Sequence, residues 1–171
     1  MQSNKITTKL SELPAKLHGS PTHPSVEEFQ QAVARSVTQL TSLKDDQGEP
    51  INELAREFLV MVPFNLLSVA QSALSVPRGT DISEIVMPDN VVVRVVGNVR
   101  LNAWTDKFVI FRTDGRLKAF IRQQETDVAM KAKAEGSEYE FDNDAHQYGV
   151  DTWRNVGFGR WQYAVLNQLV A

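Results

Sequence analysis

Residues 25–43 read SVEEFQQAVARSVTQLTSL, and the order of apolar and polar side chains in this stretch predicts one long amphipathic helix. Ser25 and Glu28 form the S-x-x-E pair of a capping box, which satisfies backbone N–H groups at the start of a helix. Apolar residues then recur at helical spacing, namely Val26, Phe29, Val33, Val37 and Leu40. We therefore predict a helix from about Val26 to Leu43, ended by the turn-forming segment Lys44–Pro50.

The segment after this turn is typical of a mixed α/β unit. Asn65–Ser75 has apolar residues at helical spacing and predicts a second helix, while Pro77–Asp81 predicts a loop. Four runs are strand-like, with continuous or alternating apolar residues: Phe58–Val62, Val91–Leu101, Phe108–Phe111 and Leu117–Gln123. Thr113–Arg116 is a hairpin-turn signal between the last two runs. These signals predict an α+β fold whose sheet packs one face against helices.

Residues 1–24 are interpreted as an arm or linker. Apolar residues in its first part have the spacing of one short amphipathic helix, which Pro14 interrupts: Ile6, Leu10, Leu13 and Leu17. His18–Pro24 contains a glycine and two prolines, a composition typical of a linker. We expect this segment to be extended and poorly packed.

The last third of the chain is rich in acidic and aromatic residues. Asp127–Glu135 is interpreted as a short helix that Gly136 ends. The alternation that follows places four carboxylates on one side of a predicted strand, namely Glu138, Glu140, Asp142 and Asp144. Residues 147–163 predict another strand or strand pair, in which the glycines allow bends. Large aromatic side chains near glycines usually fill a core, so we predict buried positions for Trp153, Phe158 and Trp161.

The composition limits the classes of protein that this chain can represent. Its 171 residues, 42% of them hydrophobic, are enough for one domain with a substantial core. The formal net charge of -3 disfavours a general duplex-binding protein, which usually has a basic surplus. Because the chain has no cysteine, disulfide frameworks, thiol catalysis and cysteine-ligated metals are excluded. We expect neither a membrane span nor a secretory signal, since no apolar run approaches the required length.

Few residues form a pattern that indicates catalysis. No histidine has a second histidine at helical spacing, and no serine lies in a G-x-S-x-G motif. Asp142-x-Asp144-x-His146 is the only metal-like cluster, and on a strand its side chains would share one face. A solvated or interfacial acidic strand accounts for the same residues. We therefore assign no catalytic, cofactor-binding or metal-ligating residue, and the alternative is a small ligand- or metal-binding, hydrolase-like module near His146.

Basic residues in the predicted strands provide a partner for the acidic residues of a neighbouring copy. The candidates for this subunit interface are Arg94, Arg100, Arg112 and Arg116, opposite Glu138, Glu140, Asp142 and Asp144. Patches of opposite charge on one chain favour head-to-tail contacts, which close into rings when the rotation allows it. The same arginines would also serve as ordinary solubilising charges on exposed strands, and the sequence leaves both interpretations open.

Three stretches occur in an order that resembles one protein family. They are Leu43–Ile51, then Phe58–Pro63, and finally Tyr148–Asp151 followed by Asn155–Gln162. The sequence is similar in these stretches to the major head (capsid) proteins of Mu-like tailed phages. In that family a helix ends in a K-D-x-x-G-x-P turn, and an apolar strand closed by proline follows. The final Y-G-V-D…N-x-G-[YF]-G-x-W-Q segment is the most specific of the three.

The resemblance implies a Hong Kong 97-type capsid fold with a long spine helix, a peripheral sheet and an axial α/β lobe. Val26–Leu43 would be the spine helix, and Tyr148–Tyr163 would return to the peripheral sheet beside it. The implied division of the chain is residues 1–24 as arm or linker, 25–50 as spine helix and turn, 51–138 as axial domain, and 139–171 as the C-terminal return.

The resemblance also implies a function. We expect a structural, non-enzymatic protein of a phage or prophage head that assembles into hexamers and pentamers and forms an icosahedral shell around DNA. Its partners would be copies of itself and scaffold and portal proteins, with weak non-specific contact to packaged DNA and none to a membrane. Its location would be the virion, assembled in the bacterial host cytoplasm. Since family members carry a longer segment before the spine helix, we expect a chain truncated at its N-terminus.

Overall fold

The computed structural model describes residues 4–75 and 91–171. These residues form helices and strands in the order β1 (Lys5–Lys9), α1 (Val26–Ser42), β2 (Glu57–Val62), α2 (Phe64–Ser75), β3 (Val92–Gly97), β4 (Lys107–Arg112), β5 (Phe120–Lys133), α3 (Glu138–Asn143), β6 (Gln147–Phe158) and β7 (Ala164–Val170). Short 3-10 helices lie at Leu10–Glu12, Val99–Leu101 and Trp161–Tyr163. The predicted α+β class is confirmed.

The chain divides into two compact units. Residues 1–119 and 160–171 form one, which we call the sheet unit, and residues 120–159 form the other, which we call the ribbon unit. The four-part division predicted from the sequence has its boundaries at other positions and stays a prediction.

A five-stranded sheet organises the sheet unit, with strand order β1-β7-β4-β2-β3. The outer pairs, β1 with β7 and β2 with β3, are parallel, while β4 runs antiparallel to both of its neighbours. Helix α1 packs on β7 and β4, and α2 packs on α1, β2 and β3. Both helices therefore cover the same face of the sheet, as the sequence predicts.

Helix α1 supplies the centre of the core. Its apolar stripe faces the sheet, so that Phe29, Val33 and Leu40 are fully buried, and the ring of Phe29 lies 4.9 Å from that of Phe108 in β4. Both capping-box hydrogen bonds are present, because Ser25 Oγ accepts from the Glu28 N–H and the Glu28 carboxylate accepts from the Ser25 N–H. The predicted helix is confirmed, with its last helical residue at Ser42 and Leu43 as the C-cap.

The N-terminal segment differs from the prediction. The expected helix within residues 1–17 is wrong: Lys5–Lys9 is strand β1, paired in parallel with β7. The expectation that this N-terminal segment packs poorly is also wrong, since Leu10 and Leu13 are buried in the core. The β-branched run Ile6–Thr8 favours a strand, and a pairing partner far along the chain outweighs the local helical spacing.

The middle of the chain follows the prediction in most elements. The two strands at residues 57–62 and 107–112 and helix α2 are confirmed. The predicted Val91–Leu101 strand ends at Gly97, because the Asn98 side chain accepts a hydrogen bond from the Arg100 N–H and starts a 3-10 helix. The predicted loop at Pro77–Asp81 lies outside the described residues.

The predicted hairpin at Thr113–Arg116 is wrong. Strand β4 pairs with β2 and β7, whereas the strand that follows the turn, β5, pairs with β6 in the other unit. Asp114 holds the turn, because its carboxylate accepts from the Arg56 N–H at 2.7 Å and from Arg112 Nε at 2.6 Å. The turn therefore ends β4 within the sheet unit, and the chain enters the ribbon unit at Phe120.

The ribbon unit is a two-stranded antiparallel sheet with a helix between its strands. Strands β5 and β6 pair from Phe120 opposite Phe158 to Lys133 opposite Gln147, with register shifts between Gln124 and Thr126 and between Thr126 and Ala129. The predicted helix at residues 127–135 is therefore wrong, since pairing with β6 continues β5 to Lys133. Cross-strand pairing outweighs the weak local helical signal here.

The predicted acidic strand is also wrong. Glu138–Asn143 forms helix α3, whose N-cap Ser137 accepts a hydrogen bond from the Glu140 N–H and whose C-cap Asp144 has a left-handed backbone with φ of 47°. The Glu140 carboxylate accepts from the Gly136 N–H at 2.7 Å. Ser137-x-x-Glu140 is thus a second capping-box sequence, and it starts a helix where the alternation indicates a strand.

Candidate assembly surface

The ribbon carries an apolar face. Side chains alternate between the two faces of a strand, and the register of β5 and β6 shows which residues share a face. We call one side the apolar ribbon face; it consists of Phe120, Met130, Tyr148, Val150, Val156 and Phe158. The rings of Phe120 and Phe158 lie 5.9 Å apart at one end of it. Arg122 and Arg154 add positive charge to this side, and Gln124, opposite Arg154, adds a further polar side chain.

The opposite face of the ribbon is more polar. It carries the Lys131–Asp151 ion pair, Asn155 and two glycines, Gly149 and Gly157. Trp153 is a large aromatic residue on this side. The ribbon is therefore amphipathic, although it is only two strands thick.

The apolar side chains of the ribbon are exposed. Phe158 is 90% exposed, Met130 69%, and Val150 and Val156 65% each. Contiguous exposed apolar patches usually mark an interaction site, and an isolated two-stranded ribbon is at best marginally stable in water. The ribbon thus has the properties of a surface that another chain covers.

The three aromatic residues predicted to be core anchors are exposed, so that prediction is wrong. Trp153 and Phe158 are 69% and 90% exposed on the ribbon, and Trp161 is 44% exposed in the 3-10 helix before β7. The core of the sheet unit is instead filled by Phe29, Phe58 and Phe108. The glycines near these aromatic residues belong to a ribbon. A ribbon of two strands has no interior that could bury the aromatic side chains.

The acidic interface candidates lie on and beside helix α3, which we call the acidic tip, residues 138–146. Glu138, Asp142 and Asp144 are exposed, and Glu140 is half-buried because it bonds to Gly136. A helix spreads these residues around its axis, so the single-sided row of carboxylates expected for a strand is absent from this described segment. Phe141, 92% exposed, adds an apolar side chain to the tip.

The four arginine candidates differ in their surroundings. Arg94 on β3, Arg100 in the 3-10 helix and Arg116 after β4 are exposed. The Arg112 side chain is mostly buried: it donates to Asp114 and to Asn52 Oδ1 at 3.0 Å, and its guanidinium lies 5.0 Å from the centre of the Tyr163 ring. Arg112 therefore has a structural role inside the sheet unit.

Asp114 is the partner that fixes Arg112. Burial alone would raise the pKa of Asp114, but hydrogen bonds from the Arg112 side chain and the Arg56 N–H, together with the charge of Arg112, hold it below its usual value. The carboxylate thus stays ionised at neutral pH and holds the turn after β4.

The acidic tip does not gather into a metal site. Among residues 4–75 and 91–171, no three histidine, aspartate or glutamate side chains lie close enough together to hold an ion. His146 Nε2 lies 3.7 Å from Glu140 Oε1, which is an ion pair only when the histidine is protonated. The residues of the alternative hydrolase-like module are therefore not arranged as ligands.

A separate open cleft of about 950 Å³ lies in the sheet unit. Its lining consists of Asn4, Lys44, Asp45, Asp46, Ile51, Arg160, Trp161 and Gln162. Asp45 is already engaged in its own turn, where its carboxylate accepts from the Gln47 and Glu49 N–H groups at 2.9 Å. None of the helices in the described part of the chain is long and apolar enough to cross a membrane.

An amphipathic ribbon with an exposed apolar face and a charged tip is a feature of proteins that act by association with other chains. Comparison with protein families agrees: the family model described as Mu-like prophage major head subunit gpT matches residues 81–169. The match covers more than half of the chain, so the protein belongs to the Mu-like prophage major head subunit family and is a structural protein of a phage capsid. A search of curated proteins found no match.

The matched region contains the whole ribbon unit and the most specific stretch of the sequence, Tyr148–Gln162. The resemblance inferred from the sequence is thereby confirmed. The ribbon itself was missed in the sequence, although Gly136–Ser137 between two strand-like segments is a turn signal that favours one.

Proposed function

We propose that this phage head protein assembles with copies of itself into capsomers, hexamers and pentamers, and that these close into an icosahedral shell around the phage DNA. The observation that carries the proposal is the apolar ribbon face, because burying its exposed side chains against another surface is favourable in water. We also propose a Hong Kong 97-type arrangement, with α1 as the spine helix.

Opposite charges would orient neighbouring copies in this association. Three exposed arginines of the sheet unit, Arg94, Arg100 and Arg116, and the carboxylates of the acidic tip have opposite signs. Contacts between them in neighbouring copies would join two different surfaces, as in a ring of subunits. Such charges contribute more to orientation and association rate than to affinity.

The proposal extends to the other components of a head. Scaffold and portal proteins would be further partners, and assembly would take place in the host cytoplasm before the protein becomes part of the virion. The formal net charge of -3 supports only weak, non-specific contact with packaged DNA.

Light scattering coupled to size exclusion tests the proposal over a range of protein concentrations. We expect the mass to rise with concentration toward multiples of the 19.2 kDa chain, because many weak contacts reinforce one another in a closed assembly. A mass that stays at that of one chain at every concentration would contradict self-assembly.

A further inference from the structure

The five-stranded sheet has a second face whose central residues are apolar. The side chains that alternate with the core residues of β2, β3, β4 and β7 lie on this side. We call it the open sheet face; its five central apolar members are Leu59, Met61, Val96, Val109 and Leu166, and Val92, Phe111 and Val170 also lie on this side. Register connects them across the strands, because Met61 is opposite both Val96 and Val109, and Val109 is opposite Leu166.

The open sheet face differs from the helix-covered face in its packing. Both long helices of the described sheet unit pack on the opposite side, and none of the five residues belongs to the helix-side core. Val96 is 43% exposed, Leu59, Met61 and Leu166 are half-buried, and Val109 at the centre of the face is 9% exposed. A sheet face directed to solvent usually carries polar side chains, so an apolar centre that neither described helix covers favours a surface for a further layer.

We propose that the open sheet face is the docking surface for the apolar ribbon face of a second copy of this chain. The inference rests on the proposed self-assembly and names the two surfaces that meet. Two apolar sheet surfaces of this kind pack face to face about 10 Å apart.

Charge complementarity selects the ribbon as the occupant. Arg94 is opposite Leu59 in the register and is exposed on the open sheet face, and Lys107 shares that face with Val109. The apolar ribbon face itself carries Arg122 and Arg154, so the complementary negative charge comes from the acidic tip, with Glu138, Glu140, Asp142 and Asp144. A second sheet face would instead bring Arg94 and Lys107 against their own copies, with Glu57 as the one carboxylate on that side of β2, β3, β4 and β7, and the repulsion disfavours sheet-to-sheet pairing.

The dimensions of the two surfaces also fit. A ribbon of 12 to 14 residues is about 40 Å long and about 10 Å wide, while five strands are about 24 Å wide. A ribbon that crosses the sheet therefore extends past an edge strand, where its tip meets exposed basic residues. The area over which ribbon and sheet overlap is smaller than the roughly 800 Å² per partner that a standard interface buries. The interface therefore also needs the charged contact at the acidic tip.

Cysteine cross-linking tests this assignment, because the wild-type chain has no cysteine. Val156→Cys places a thiol on the apolar ribbon face, Val96→Cys places one on the open sheet face, and Asn155→Cys is the matched control on the other side of the ribbon. All three sites are exposed, so the variants should fold, which circular dichroism checks. The variants carry tags of different mass, are mixed in pairs and are oxidised.

We expect severalfold more mixed disulfide from Val156→Cys with Val96→Cys than from Asn155→Cys with Val96→Cys. Equal yields from the two mixtures, while the wild type still forms oligomers by light scattering, would overturn the docking assignment and leave self-assembly standing. A Val96→Cys homodimer that forms as fast as the mixed product would also overturn it, since two sheet faces would then meet. A wild type that stays monomeric would remove both proposals together.

Discussion

Glu28 is a fully buried carboxylate that joins the N-terminal segment to helix α1. It accepts hydrogen bonds from the N–H groups of Ser25 at 2.8 Å and Gly19 at 3.0 Å, and His18 Nδ1 lies 3.1 Å away. Burial alone would raise the pKa of Glu28, but these hydrogen bonds outweigh it and lower the pKa below its ordinary value. The ionised form therefore stabilises the fold.

This pKa gives a prediction for stability against pH. Because the folded pKa is lowered, the stabilisation is present above the ordinary value of 4.5 and is lost as the pH falls through the folded pKa. We expect Glu28→Gln to lower the free energy of unfolding at neutral pH by about 1–3 kcal/mol and to flatten its decline in acid. Urea unfolding of the wild type and of Glu28→Gln, at a series of pH values from neutral to acidic, measures these free energies of unfolding.

Glu53→Gln is the control for this experiment, since Glu53 is exposed and should leave the pH profile unchanged. Part of the acid sensitivity will persist in Glu28→Gln, because Asp114 also has a lowered pKa and acts with the same sign. A Glu28→Gln profile as steep as that of the wild type would show that the contacts of Glu28 do not stabilise the fold.

Gly115 is required by a close approach of the chain to Tyr163. A Cβ atom at Gly115 would lie 2.5 Å from Tyr163 Cε2, within a ring that also contacts the Arg112 guanidinium. We expect Gly115→Ala to lower the free energy of unfolding by about 1–3 kcal/mol, because the buried ring has to move. Gly149→Ala is the control, since nothing lies within 4 Å of its Cβ position. Equal thermal unfolding of the two variants would contradict this account.

At the level of elements, local signals predicted some parts and long-range pairing determined the others. Helix α1 was predictable because its capping box and its apolar stripe both lie within Ser25–Leu43. Strand β1 was not, since its partner β7 is at the other end of the chain. The two register shifts in β5 disturb its alternation and conceal the strand. Helix α3 was predictable in principle, because Ser137 and Glu140 repeat the signal of Ser25 and Glu28.

The ribbon gives a prediction at this scale. Val156→Lys places a charge on the apolar ribbon face, whereas Asn155→Lys places the same charge on the polar side of the same strand. Because burying one valine side chain is worth about 1.5–3 kcal/mol, we expect Val156→Lys to weaken self-association by about tenfold or more. Light scattering at matched concentrations compares the two variants. Equal weakening by both would indicate a general effect of charge and contradict a one-sided contact.

At the level of the whole molecule, the sequence predicted the α+β class and the family, but the location of the contact surfaces needed the structure. Tyr148–Gln162 was specific enough to indicate a head protein, because the motif depends only on residue types and their order. Three aromatic residues of this stretch, Trp153, Phe158 and Trp161, were expected in a core, yet all three are exposed. Burial depends on which chain covers a side chain, and the sequence of one chain contains no direct signal for the layer that, in our proposal, another copy supplies.

We propose above all that this protein acts by covering its apolar surfaces with copies of itself. Negative-stain electron microscopy of the concentrated wild-type chain, beside Val156→Lys at the same concentration, tests it most directly. We predict rings or shell fragments built from repeating subunits for the wild type and mainly single subunits for the variant. Single subunits in both samples, or identical assemblies in both, would contradict the account.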